Sequence, residues 1–220
     1  MRSEKIIDIL KNGKIHLSCE LFPPKQGAEL QNSLEIVNRI AASKPSYMSV
    51  TYGAGGSTVG YSAALAKKVQ DNGMPALAHL TCVKADEAKL AEVLGQLQGF
   101  GVKNILALRG DIPADMQGEE IGSFAHASEL MRFVKQQSDF CVGGAAYPEG
   151  HPESGSLEQD IENTKYKVDA GVDFLVTQMF FDNTILYNYM FRLLRAGINV
   201  PVVPGIMPVT NAKQIIRICQ

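Results

Sequence analysis

Charge of one sign is what this sequence most plainly lacks. Across 220 residues, 21 Lys and Arg stand against 23 Asp and Glu, a formal net charge of −2. That balance removes any electrostatic argument for a nucleic-acid partner or an anionic membrane surface. Long apolar runs are missing too, and none reaches the length of a bilayer span. The opening MRSEKIIDILKNGK alternates charge with aliphatics and lacks the unbroken apolar stretch of a signal peptide. Cysteine is scarce: Cys19, Cys82, Cys141 and Cys219 are far apart and form no CxxC or Cys/His cluster. They read as buried thiols in a reducing cytoplasm, not as disulfides or zinc ligands, and no metal is expected. With no low-complexity or linker-like segment, residues 1–220 read as a single cytoplasmic domain.

What is present is an alternation. Seven short apolar runs recur: IHLSCELF (15–22), YMSVTYG (47–53), PALAHLTCV (75–83), NILALRG (104–110), FCVGGAAYP (140–148), FLVTQMFF (174–181) and VPVVPGIMP (200–208). Between them lie stretches of helical periodicity. Gly73, Gly101, Gly171 and Gly197 precede the next strand as helix C-caps do. Strand then helix, about every thirty residues, predicts βαβ units on a parallel sheet. Seven such units predict a TIM (β/α)8-type barrel one unit short, incomplete at the C-terminus, open or closed by another chain.

The period of two along a strand sorts the side chains. In the first strand Ile15, Leu17, Cys19 and Leu21 share the face expected against the helices. His16, Ser18 and Glu20 then point inward. By the same rule Ser49 and Thr51, and His79 and Thr81, line the interior. Arg109, Gly110 and Asp111 end the fourth strand, Tyr147 and Glu149 the fifth, and Gln178 the sixth. A lone Ser, Thr or His in a strand is ordinarily structural, and an Arg-Gly-Asp is ordinarily a solvated turn. Their recurrence at the C-terminal ends of six strands predicts a working barrel mouth. Glu20 is the sharpest member, because a carboxylate in an apolar strand is costly without a purpose.

Two loops add to this mouth. TYGAGGST (51–58) has three glycines, which suit either close approach to a ligand or a tight βα turn. GGAAYPEGHPES (143–154) presents Tyr147, Glu149, His151 and Glu153 between stiffening prolines. Beyond it, Asp160, Asn163 and Lys167 share one helix face, which would ordinarily be a wet outer face.

The ordered series CELFPPK, SVTYGAGGST, HLTCV, LALRGD, AAYPEGHPES, DAGVDFLVTQMFFD and PGIMPV closely resembles bacterial methylenetetrahydrofolate reductases, from about residue 6 onward. The resemblance implies an FAD-bearing barrel. It also implies reduction of 5,10-methylenetetrahydrofolate to 5-methyltetrahydrofolate by NADH or NADPH, in ping-pong order, within one-carbon and methionine metabolism. Carried over by motif, Glu20 matches the catalytic acid that opens the folate's five-membered ring to an iminium ion. Asp111 matches an aspartate near flavin and pterin, Gln178 a folate and nicotinamide contact, and Thr51 a nicotinamide-nucleotide contact. Tyr52, Ala54, His79, Arg109, Gly110, Ala127, Tyr147, His151, Asp160, Asn163 and Lys167 match FAD contacts. Ser154 and Tyr166 stand where relatives carry Ala and Arg. A homo-oligomer is likewise implied.

Two other readings compete. A non-catalytic barrel subunit that depends on a partner would suit the missing eighth unit, but Glu20, Asp111 and Gln178 are all retained. A phosphate-sugar isomerase or aldolase barrel would want an interior Lys at a strand end. No strand here carries one.

Overall fold

The computed structural model describes residues 4–24, 27–52, 59–111 and 122–218. Its centre is one sheet of seven parallel strands in chain order: β1 (Ser18–Leu21), β2 (Tyr47–Val50), β3 (Ala76–Thr81), β4 (Asn104–Leu108), β5 (Cys141–Ala146), β6 (Phe174–Thr177) and β7 (Val202–Val203). Helix α1 (Ile6–Leu10) precedes the sheet. After each strand comes a helix: α2 (Leu30–Ala41), α3 (Val59–Asp71), α4 (Glu87–Gly99), α5 (Ala127–Gln137), α6 (Leu157–Asp169), α7 (Asn183–Arg195) and α8 (Ala212–Ile218). The helices start where side chains satisfy their free N–H groups. Asp86 accepts from Lys89 N, Ser156 from Gln159 N and Asp182 from Thr184 N. The four glycines expected as C-caps all have positive φ, between 74° and 93°.

Alternation along the strands divides the apolar residues into two cores. Met48, Val50, Ala78, Leu80, Ile105, Ala107, Val142 and Leu175 face the helices and form the larger one. Tyr47, Leu77, Leu106, Cys141 and Phe174 face the other way, near the N-terminal ends of their strands, and pack with Ile6. Helix α1 thus plugs the bottom of the barrel. Buried Asn104 fixes the plug: its Oδ1 accepts from Ile6 N at 2.8 Å, and its Nδ2 donates to Glu4 O and Ala76 O. With the bottom closed by apolar packing, the interior polar residues are left to the C-terminal end.

The predicted architecture holds: an α/β barrel wall of seven β/α units, incomplete, with no pairing between β7 and β1 among the described residues. The predicted first strand is corrected. Pairing with β2 begins only at Ser18, opposite Tyr47. Ile15 and Leu17 therefore precede β1 and are exposed, rather than packed on the helix layer. Among the described residues β1 has a strand neighbour on one side only.

Candidate active site

The polar interior begins at Glu20. Register sets Glu20 on β1 directly opposite Ser49 on β2, and the Ser49 hydroxyl donates to Glu20 Oε2 at 3.4 Å. His79 on β3 brings its Nε2 to 3.9 Å from the same oxygen. The three residues come from adjacent strands, as alternation predicts for neighbours on one barrel face. Their environments differ. His79 is only 8% exposed, and its Nε2 has no hydrogen-bond partner. Burial lowers its pKa to about 4, so the ring is neutral at physiological pH. The Glu20 side chain keeps 45% of its surface accessible. Desolvation still pushes its pKa above the usual carboxylate value, and the Ser49 hydrogen bond opposes that only in part. An acid raised in this way, open to solvent on one side, is suited to delivering a proton to a bound molecule.

Beside this cluster the strand ends open into a cavity of about 1070 Å³. Pockets for small molecules and cofactors ordinarily span about 300–1,000 Å³, so the space suits a dinucleotide-sized ligand. Its wall includes Thr51 and Tyr52 after β2, Arg109, Gly110 and Asp111 after β4, and Ala127 at the start of α5. Tyr147, His151, Asp160, Asn163 and Lys167 complete it. Gly110 has φ +89° with Thr81 close beside it, a place where a side chain would be both strained and crowded.

Two cations face this space in different states. Arg109 forms a two-pronged ion pair with Glu153, both N–O distances being 2.6 Å. That hydrogen bond raises the guanidinium pKa and lowers the carboxylate's. Lys167 donates to Ala145 O at 2.8 Å and lies 5.4 Å from the Tyr147 ring centroid. Desolvation lowers its pKa, partly opposed by Asp160. Asp160, buried in the first turn of α6, holds the loop before it: its Oδ1 accepts from His151 N and Ser154 Oγ, both at 3.2 Å. The His151 ring meets Tyr147 edge-on at 4.6 Å, and its Nδ1 accepts from Glu153 N. Glu153 and His151 are thus engaged with Arg109 and the loop backbone.

The structure gathers most of the predicted residues and separates a few. Thr51, Tyr52, Arg109, Gly110, Asp111, Ala127, Tyr147, His151, Asp160, Asn163 and Lys167 share the large cavity. Glu20 and His79 lie 3.9 Å apart beside it, without a hydrogen bond. Gln178 lies just past β6, exposed, with its Oε1 taken by Met179 N. Ala54 lies outside the described residues. Reasoning from sequence missed His126 and Phe22 as parts of the wall. It placed Glu153 at the mouth through the 143–154 loop, but not its ion pair with Arg109, 44 residues away in sequence.

Comparison with known proteins settles the family. The family model for methylenetetrahydrofolate reductase matches residues 5–220. The chain belongs to the methylenetetrahydrofolate reductase family. It is 38% identical over 203 residues to the 5,10-methylenetetrahydrofolate reductase of Escherichia coli K12, a match spanning 92% of this chain and 67% of the relative. It is 36% identical over 228 residues to methylenetetrahydrofolate reductase (NADH) 1 of Zea mays, covering 97% of this chain and 38% of the plant protein. A solved structure of an uncharacterized Clostridium thermocellum protein, described as binding two copies of 5-methyl-5,6,7,8-tetrahydrofolic acid, superposes with a TM-score of 0.62. That match covers 96% of this chain and 73% of the other, at 13% identity, and bears on the fold alone. Membership of this family makes the chain an oxidoreductase.

Proposed function

We propose that the protein reduces 5,10-methylenetetrahydrofolate to 5-methyltetrahydrofolate with FAD as resident cofactor and NADH or NADPH as reductant, the two substrates taking turns in one site. The observation that carries this reading is the joining of two features at one end of the barrel. One is the carboxyl of Glu20, its pKa raised by desolvation. The other is a cavity of dinucleotide size, with Arg109 and Lys167 on its wall.

The cavity's chemistry fits FAD. Arg109, already gripping a carboxylate with both prongs, offers the same fork to a diphosphate. Asn163 and Lys167 on one face of α6, with the His151 loop, offer donors to phosphate and ribose oxygens. Tyr52 and Ala127 supply less polar wall. Bound there, FAD supplies two-electron redox chemistry that no side chain of this chain has.

The protein's own contribution is a proton and a geometry. Protonated Glu20 gives its proton to a nitrogen of the folate's five-membered ring. The C–N bond to the bridging carbon opens, leaving an iminium ready for reduction. Asp111 and Gln178, on the ends of β4 and β6, hold the pterin and direct it toward Glu20, and Thr51 contacts the reductant. The experiment is a spectroscopic one. Purified protein should bind FAD and turn yellow, bleach with NADH or NADPH, and recover its colour on adding methylenetetrahydrofolate. Failure to bind FAD overturns the reading.

A further inference from the structure

His79 is the one buried ring nitrogen in the described structure left without a hydrogen-bond partner. Leaving a buried polar atom unsatisfied costs stability, so such a group ordinarily has a partner in some other state of the protein. Facing it is Glu20, with Oε2 3.9 Å from Nε2. Among the described residues, His79 is not part of the large cavity's lining.

The two partners are mechanically unequal. His79 sits mid-strand in β3, paired across to Leu106 on β4, with almost no exposed surface. Glu20 is on an outer strand with a half-exposed side chain, held by one long hydrogen bond from Ser49 at 3.4 Å. A movement of the carboxyl by about an ångström brings Oε2 within hydrogen-bond reach of Nε2. We propose that His79 is a positioning residue for Glu20: its Nε2–H closes on the carboxylate left when Glu20 has given up its proton. Resting on the folate-reducing role of Glu20, the step balances simply. The Glu20 O–H bond breaks and its proton goes to the folate ring nitrogen. The electron pair of the opening C–N bond stays on that nitrogen. The negative charge remains on Glu20, held by Ser49 Oγ–H and His79 Nε2–H. His79 keeps its own proton throughout.

Ser49 already donates to the acid, and His79 is the second donor that the closure brings to it. Burial and Ser49 are the influences acting on Glu20, and burial alone acts on His79. From the neighbouring strands, β2 presents Ser49 and β4 presents apolar Leu106. A donor to the ionised form favours ionisation, so losing it makes Glu20 hold its proton more tightly.

The test is an NMR titration of the Glu20 carboxyl carbon in the flavin-free, full-length protein, comparing wild type, His79→Leu and His79→Gln. The glutamine amide can place an N–H where Nε2 stands. The expected result is a titration midpoint about one pH unit higher in H79L than in wild type, and restored in H79Q. Should H79L not fold, His79→Phe takes its place. Coinciding midpoints, or a lower one in the leucine variant, overturn the proposal. In the flavin-loaded protein the same upward displacement is expected in the pH profile of reoxidation by methylenetetrahydrofolate. A wild type that is not reoxidised by that folate overturns the reductase reading, while the carboxyl titration still decides the His79–Glu20 pairing.

Discussion

Arg109 and Glu153, 44 residues apart in sequence, meet through two 2.6 Å contacts across the mouth of the barrel's large cavity. The carboxylate occupies the fork that suits a diphosphate, so under the proposed function FAD and Glu153 would compete for one guanidinium. The glutamate side chain is 59% exposed, and ion pairs of that kind contribute little net stability. Replacing Glu153 by Gln is therefore expected to tighten FAD binding, by up to about five-fold. Arg109→Gln should loosen it by about ten-fold or more. Flavin fluorescence quenching on titration measures both. Weaker binding in E153Q would mean that the pair persists with FAD bound and that Glu153 orients the arginine.

A second prediction concerns acid. Burial lowers the His79 pKa to about 4, against an ordinary value of 6.5. Between these values the unfolded chain binds a proton that the folded chain refuses, so stability falls as pH drops from 6.5 toward 4 and then levels. The full effect is about 3 kcal/mol. Urea unfolding of wild type and H79L across that range should show the slope in the first and lose most of it in the second. An equal slope in both would place the acid sensitivity elsewhere.

Much of this arrangement was legible in the sequence, because it depends on short-range patterns. The two-residue period put Glu20, Ser49, His79 and Thr81 on the interior face, and strand-end position put Arg109, Asp111 and Gln178 at the mouth. The helix face Asp160/Asn163/Lys167 had a ready explanation as wet surface, and only the family resemblance gave it a ligand. What escaped were relationships set by tertiary packing. The Arg109–Glu153 pair needs two loops to converge. The unpartnered Nε2 of His79 depends on side-chain distances that no period encodes. The start of β1 was placed too early, since Ile15 and Leu17 look like strand residues but have no strand beside them.

A third prediction follows from the loop before α6. Asp160 spends its carboxylate on His151 N and Ser154 Oγ, at 3.2 Å each. Asp160→Asn keeps the size but weakens acceptance, so the 147–154 segment should loosen. Faster amide hydrogen exchange at His151 and Ser154, together with weaker FAD binding, is the expected result. Unchanged exchange would show that the prolines alone hold the loop.

Glu20 also carries a cost that can be weighed separately from activity. Desolvation raises its pKa, which means the folded state disfavours its ionised form above the ordinary carboxylate value. Glu20→Gln removes that penalty, so the variant should melt higher than wild type at neutral pH and lose this advantage below about pH 4. Thermal melts at both pH values check it. A lower melting point at neutral pH would indicate that the Ser49 contact outweighs desolvation.

The most direct test separates the two half-reactions in Glu20→Gln. The account predicts that the variant binds FAD and is bleached by NADH or NADPH at close to the wild-type rate, while methylenetetrahydrofolate reoxidises it at least about a hundred-fold more slowly. Loss of both half-reactions to the same degree, or reoxidation at the wild-type rate, would contradict the role given to Glu20.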